Sequence, residues 1–304
     1  MKNAVLYVFT GTGNTLTAAE AIAGGLEKRG YNTTIYRIKE PLKGVPNPND
    51  FDVAGFGYPI HAFNAPQIML RFAKHLPKLT QPKPAFIFKT SGEPFALNNA
   101  SSYSLVCKLR RKGFTPGLDV HMLMPYNIMF RYEDALAKQM YIHTMRMSDY
   151  IAARVAGSDY TRLRYNPATI VFKNILRLQW FGAWINGPLI SAKKDLCTGC
   201  GVCVNNCPSG NITIKDGRAH FGAKCTMCMS CAMRCPNDAV RSGMLNPWRV
   251  NGLFRYDRLV ADDTVPKTYV NDETKGYFKL FRPYYERTDK LMREYEQREE
   301  DKEA

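Results

Sequence analysis

Eight of the nine cysteines in the 304-residue chain fall between Cys197 and Cys235, and their order repeats. Cys197-x2-Cys200-x2-Cys203-x3-Cys207-Pro208 recurs 28 residues later as Cys225-x2-Cys228-x2-Cys231-x3-Cys235-Pro236, with Ile212 corresponding to Val240. Thiols this dense argue for metal rather than disulfides in a reducing compartment. Three cysteines two residues apart can wrap one face of an iron–sulfur cubane while a fourth reaches across. Tetrahedral zinc sites instead pair two close ligands with two distant ones, and sets of three plus one before proline do not follow that pattern. The spacing therefore predicts two [4Fe–4S] clusters. The ninth cysteine, Cys107, lies beside Leu105 and Leu109 and reads as a small buried apolar residue rather than a reactive thiol.

A second constellation lies near the N-terminus, Thr10-Gly11-Thr12-Gly13-Asn14-Thr15. It follows an apolar run and precedes a helical pattern, where backbone amides and hydroxyls converge at the positive end of the helix dipole. A nucleotide P-loop would need Gly-Lys-Ser/Thr, and a dinucleotide fingerprint a third glycine near Leu16; both are missing. No lysine or arginine occurs in the loop, so this site would hold a phosphate without a charged partner.

The elements that must position these groups alternate. Apolar runs at Ala4–Phe9, Thr33–Ile38, Val53–Gly57, Ala85–Lys89 and Leu118–Leu123 read as five strands. Between and after them, Thr15–Arg29, Pro66–His75, Ala100–Lys112 and Glu133–Val155 carry helical spacing. That alternation predicts an α/β fold, a doubly wound five-stranded parallel sheet, with ligand beyond the carboxyl ends of the strands. A small α+β domain holding the cysteines follows it.

At this point the loop resembles the phosphate loop of flavodoxins, Thr/Ser-x-Thr-Gly-x-Thr, matched by Thr10, Thr12, Gly13 and Thr15. The resemblance covers about the first 150 residues and implies FMN as cofactor. It also implies that Gly57-Tyr58-Pro59-Ile60-His61-Ala62-Phe63-Asn64 and Thr90-Ser91-Gly92-Glu93-Pro94 clasp the isoalloxazine ring, with Tyr58, His61 and Phe63 as stacking candidates. Glu93 is the exceptional carboxylate in these ring loops, and so few negative charges should raise the flavin potential. The loop Pro125–Phe130 follows the fifth strand, and Tyr126 or Asn127 would meet a substrate there. Lys193–Ser242 resembles a bacterial two-cluster ferredoxin, in which the fourth cysteine of each motif ligates the other cluster. This implies one set of Cys197, Cys200, Cys203 and Cys235 and another of Cys225, Cys228, Cys231 and Cys207. The module order resembles the fused flavodoxin–ferredoxin proteins of anaerobes. It implies electron transfer between the clusters and FMN, or alternatively a ferredoxin-linked flavoenzyme acting on a small molecule.

The expected division is 1–155 for the FMN-binding domain, 156–190 for a connector, 191–243 for the cluster domain and 244–304 for an extension. The connector is apolar (Ile170, Val171, Phe172, Ile175, Trp184) and is expected to pack between the domains, although its mixed aromatic and basic residues also fit an interfacial membrane helix. The aromatic stretch Asn246–Tyr285 is expected to wrap over another domain or a second subunit, leaving a homodimer open. Glu286–Ala304 reads as a solvated charged helix.

The formal charge is +15, with 18 basic and 10 acidic residues in 1–150, and 7 against 3 in 191–243. Such a spread fits an acidic redox protein partner or an anionic substrate. No nucleic-acid-binding motif accompanies it. No run of apolar residues is long enough to span a membrane, and Met1–Phe9 lacks a signal-peptide layout, so the expected compartment is the cytoplasm.

Overall fold

The computed structural model describes residues 1–126, 128–250 and 252–303, leaving aside the side chains of 178–180, 302 and 303. The first half runs β1 (Lys2–Val8), α1 (Asn14–Glu27), β2 (Tyr31–Arg37), β3 (Val53–Pro59), α2 (Gln67–His75), β4 (Lys83–Ser91), α3 (Tyr103–Arg111), β5 (Phe114–Leu123) and α4 (Asp134–Ala156). The strands are parallel and ordered β2-β1-β3-β4-β5, the flavodoxin-like arrangement. The order reverses between β1 and β3, which opens a crevice at the carboxyl ends of those strands.

Side-chain alternation along β1 divides the core. Ala4, Leu6 and Val8 pack with Ile22 of α1 and Ile151 of α4, whereas Val5, Tyr7 and Phe9 pack with Phe72 of α2 and Leu109 of α3. A strand covered on both faces has no polar side, which is why this run is uniformly apolar in sequence. Each large side chain so removed from water contributes about 1.5–3 kcal/mol.

Beyond α4 come α5 (Pro167–Ile175) and α6 (Gln179–Leu189). Asn166 caps α5 by accepting from the Ala168 N–H at 2.9 Å, with Pro167 in the first turn. The expectation of an apolar connector buried between domains needs correction. Among the described side chains of 156–190, Lys173, Asn186 and Ile190 are buried, whereas Val171, Phe172, Ile175, Phe181 and Trp184 are exposed.

The cysteine region is built from β6 (Ser191–Ala192), α7 (Val202–Asn205), β7 (Ile212–Lys215), β8 (Arg218–Phe221), α8 (Ser230–Met233) and β9 (Val240–Arg241). β6 pairs with β9 and β7 with β8, both antiparallel. The sequence repeat is a structural one, because each cysteine motif turns through a short helix into a strand, β7 at Ile212 and β9 at Val240.

The C-terminal part contains α9 (Tyr256–Ala261) and α10 (Arg282–Glu303). Its aromatic stretch folds back on the first half, with Val270 and Phe281 packed among Tyr132, Leu136 and Met140. α10 is not simply solvated. Tyr284, Thr288, Met292 and Tyr295 recur on one helical face and are buried, Met292 joining the core that includes α1 and α4. The dense charges on its other faces conceal that stripe in the sequence. Among the described residues, no helix is long and apolar enough to cross a membrane.

Candidate functional site

Where the parallel strands end, their loops surround an open cavity of about 1400 Å³, counting the solvent space at its mouth. The loop after β1 contributes Thr10, Gly11, Thr12, Asn14 and Thr15. The loop after β3 brings Pro59, His61 and Phe63, the loop after β4 Thr90, Ser91 and Gly92, and the loop after β5 Tyr126. Three expected residues lie elsewhere. Tyr58, still within β3, alternates into the core with its hydroxyl 3.2 Å from Ser101 Oγ, so it has no face to offer a ring in the cavity. Asn64 is buried and donates to the carbonyls of Ala62 and Lys173, which anchors its loop to α5. Gly13 has φ 119° at the start of α1 and donates its N–H to Thr10 Oγ1 at 3.2 Å. Asn127 lies outside the described residues.

Neutral groups dominate the walls. Thr15 Oγ1 and Thr90 Oγ1 are 2.8 Å apart, joining the first loop to the third. Asn14 donates to the Pro125 carbonyl at 2.9 Å and accepts from the Tyr256 hydroxyl at 3.0 Å. Glu93 lines the cavity as well, and burial raises its carboxyl pKa against a hydrogen bond from Tyr126 that lowers it. Just before Thr90, buried Lys89 pairs with Asp119 at 2.9 Å and donates to Ser102, fixing the end of β4.

One cation does reach the phosphate-type loop, from far along the chain. Arg234 Nη2 donates to the Thr12 carbonyl at 3.1 Å, and its Nε has no hydrogen-bond partner. Burial and the Arg37 guanidinium lower its pKa.

The cysteine region closes the cavity on another side. Met227, Cys228, Met229 and Leu245 line it together with the strand-end loops. The approach is close: a Cβ placed on Gly11 would sit 2.3 Å from the Cys228 carbonyl oxygen, so only glycine fits. Backbone strain concentrates here too. Ala62, Phe63, Met129, Met227 and Met229 all line the cavity with positive φ, between 40° and 81°. Such conformations cost roughly 1–3 kcal/mol each and persist where the surroundings enforce them, commonly at functional sites.

The eight cysteines ring two further cavities. One is lined by Cys207, Cys225, Cys228 and Cys231, the other by Cys197, Cys200, Cys203 and Cys235. The fourth cysteine of each motif thus stands with the first three of the other. Backbone N–H groups of Asn211, Met227 and Ala239 each donate to a sulfur, those of Cys207, Cys225 and Cys235, at 3.3 Å. Burial pushes the Cys228 thiol up to about 12 and Cys231 well above its ordinary value. Buried thiols of this kind ionise only when a positive centre compensates them, and four around a cavity with amide donors suit an iron–sulfur cubane. Among the described residues, no group of three or more His, Cys, Asp or Glu is arranged to hold a single metal ion.

Residues 186–240 match the family of 4Fe–4S dicluster domains. A flavodoxin-like sheet is therefore fused to a 4Fe–4S domain. Structural likenesses lie over the N-terminal half. An archaeal flavodoxin is 17% identical, with a TM-score of 0.36, covering 50% of this chain and 98% of its own. The flavodoxin of Streptococcus pneumonia TIGR4 is 15% identical, with a TM-score of 0.37 and coverage of 51% and 99%. An NAD(P)H:quinone oxidoreductase from Methanothermobacter marburgensis is 13% identical, with a TM-score of 0.36 and coverage of 50% and 100%. No curated protein matches the chain.

What sequence reasoning missed is the seam between the flavodoxin-like sheet and the 4Fe–4S domain. Met227, Cys228 and Met229 give no sign in sequence of facing a second site, and neither does Arg234. The seam is extended by the Glu40 N–H donating to the Pro208 carbonyl at 2.7 Å and by Lys39 donating to Asn205 at 2.9 Å. A signal was nevertheless available in Gly11, whose missing side chain admits the Cys228 loop.

Proposed function

We propose that this iron–sulfur flavoprotein transfers electrons between two [4Fe–4S] clusters and an FMN held in the open cavity. The observation that carries the proposal is a shared wall. Cys228 lines both the cavity of the strand-end loops and one of the four-cysteine cavities. In this reading Cys207, Cys225, Cys228 and Cys231 hold an inner cluster, and Cys197, Cys200, Cys203 and Cys235 an outer one.

Thr10, Thr12 and Thr15, with the amides opening α1, would bind the FMN phosphate, while His61, Phe63 and the Thr90–Gly92 loop flank the ring. The donor set suits such a ligand, being rich in hydroxyls and poor in carboxylates. When bound, FMN exchanges one or two electrons whereas each cluster exchanges one, so the combination couples one-electron carriers to two-electron chemistry. The chain's part is to place and shield. Met227, Met229 and Leu245 keep water from the cluster side, and Arg234 steadies the Thr12 carbonyl behind the phosphate loop. Glu93 stands beside Tyr126, its carboxyl pKa raised by burial and lowered by the Tyr126 hydrogen bond. The same reading divides the chain into an FMN-binding part (1–155), a connector (156–190), a cluster part (191–243) and an extension (244–304).

A second reading, a flavoenzyme acting on a small molecule, is favoured by the exposed rim at Phe95 and Met129. Anaerobic reconstitution followed by iron, sulfide and flavin analysis tests the proposal, the expected result being two four-iron clusters and one FMN per chain. Zinc in place of iron, or failure to retain FMN, overturns it. Sustained turnover of a small-molecule acceptor without any protein carrier would select the second reading.

A further inference from the structure

Surface helices ordinarily turn their apolar side chains inward. α5 and α6 do the reverse. Lys173 is fully buried among Asn64, Ser104 and Asn174. Asn186, also buried, donates to the Ser242 carbonyl and accepts from the Met244 N–H. On the outer side, Val171 and Ile175 of α5 and Phe181, Trp184, Ile185 and Leu189 of α6 are between 50% and 66% exposed. Their spacing draws one apolar stripe along each helix. The adjoining turn, which packs on α6, adds exposed Met244 and Trp248. Large apolar side chains exposed in such number on two successive helices and the turn beside them point to an interaction site.

Charge indicates what covers it. From Tyr160 to Lys194 the chain contains no Asp or Glu, but it carries Arg162, Arg164, Lys173, Arg177, Lys193 and Lys194. Of these, Arg162, Arg164 and Lys194 are exposed. A second copy docked through the same face would set these like charges against each other. Aromatic and aliphatic stripes flanked by arginine and lysine are the composition of helices that lie in the headgroup plane of a bilayer. We propose that α5 and α6 seat the protein on an anionic phospholipid surface, with the apolar stripes in the outer acyl layer and the basic residues at the lipid phosphates. Because the Asn64 side chain ties its loop to α5, this seat lies beside the rim of the open cavity.

Vesicle flotation of the cofactor-loaded protein tests this. Phosphatidylcholine vesicles containing phosphatidylglycerol should retain at least roughly tenfold more protein than phosphatidylcholine alone, with retention falling as salt is added. The double substitution Phe181→Ser and Trp184→Ser should lower partition by about tenfold or more. Unchanged visible absorption and melting temperature would show that the variant keeps its fold. Failure to float with the anionic vesicles, or flotation unaffected by the double substitution, overturns the proposal. A dimer formed without lipid and dispersed by the same substitutions overturns it in favour of self-association. An acidic protein that binds this face while the vesicles do not would overturn it in favour of a protein partner.

Discussion

Arg234 lies between Cys231 and Cys235 in the sequence, yet its guanidinium ends on a carbonyl 222 residues earlier. It belongs to the cysteine motif by position and to the phosphate-type loop by contact. Removing it would take its hydrogen bond from the Thr12 carbonyl and withdraw a cation from the loop that is proposed to bind phosphate. Hydrogen bonds involving a charged group contribute about 1.5–3 kcal/mol. Arg234→Ala should therefore weaken FMN binding by roughly tenfold or more, measured by quenching of flavin fluorescence during titration, and Arg234→Lys should restore part of it. An unchanged affinity would show that Arg234 only packs the seam. The sequence shows no base in the loop and so led to the expectation of a phosphate held without a charged partner, whereas Arg234 reaches the loop from outside it. The contact itself was illegible, because no local pattern encodes a hydrogen bond between residues so far apart.

At the scale of elements, legibility followed burial. β1 and β3 were recognisable because a strand covered on both faces must be apolar throughout, and α1 because one face of it meets the sheet. α5 and α6 were misread because the sequence shows that a helix has an apolar stripe but not which way the stripe faces, and α10 because dense charge hid its stripe altogether. In α10 the stripe faces inward, and two histidines of the first half meet that helix. The Tyr284 hydroxyl donates to the His121 carbonyl at 2.7 Å, and His143 Nε2 lies 2.9 Å from Thr288 Oγ1. Burial lowers His121 to about 3, helped by Lys89 and Arg287. It lowers His143 to about 4, with Asp289 opposing the shift and Arg146 adding to it. Both imidazoles are thus neutral in the fold and become protonated near pH 6.5 when it opens. Their contribution is complete above about pH 6.5 and is lost as pH falls toward about 4. Between about pH 7 and about pH 5.5, stability against urea should drop by about 1 kcal/mol for each histidine. His143→Gln should flatten that dependence. A pH profile identical in the variant would mean that His143 is not responsible.

Considered as a whole, the molecule joins the open cavity to one four-cysteine cavity through a shared wall at Cys228, and carries a second four-cysteine cavity with a lining of its own. Cys200 of that second set is exposed, so under the proposed function this side of the 4Fe–4S domain would be the door for electrons. Residues 191–243 carry 7 bases against 3 acids within a chain of net charge +15, so the field around the protein is positive on balance. A cavity mouth and a separate electron door suit a protein that meets a one-electron carrier at one end. A field of this sign attracts an acidic carrier over distances that salt truncates to about 10 Å at ~0.1 M. Electrostatic steering raises association rates by roughly 10- to 1000-fold and is lost as ionic strength rises. The second-order rate at which a reduced, acidic iron–sulfur carrier bleaches this protein's visible absorption should therefore fall by about tenfold or more between ~0.01 M and ~0.5 M salt in stopped-flow mixing. Charge reversal at Lys193 and Lys194, which precede the first cysteine, should reproduce much of that loss at low salt. If the rate is insensitive to salt, or rises with it, the basic surface is not the docking face and the carrier enters elsewhere.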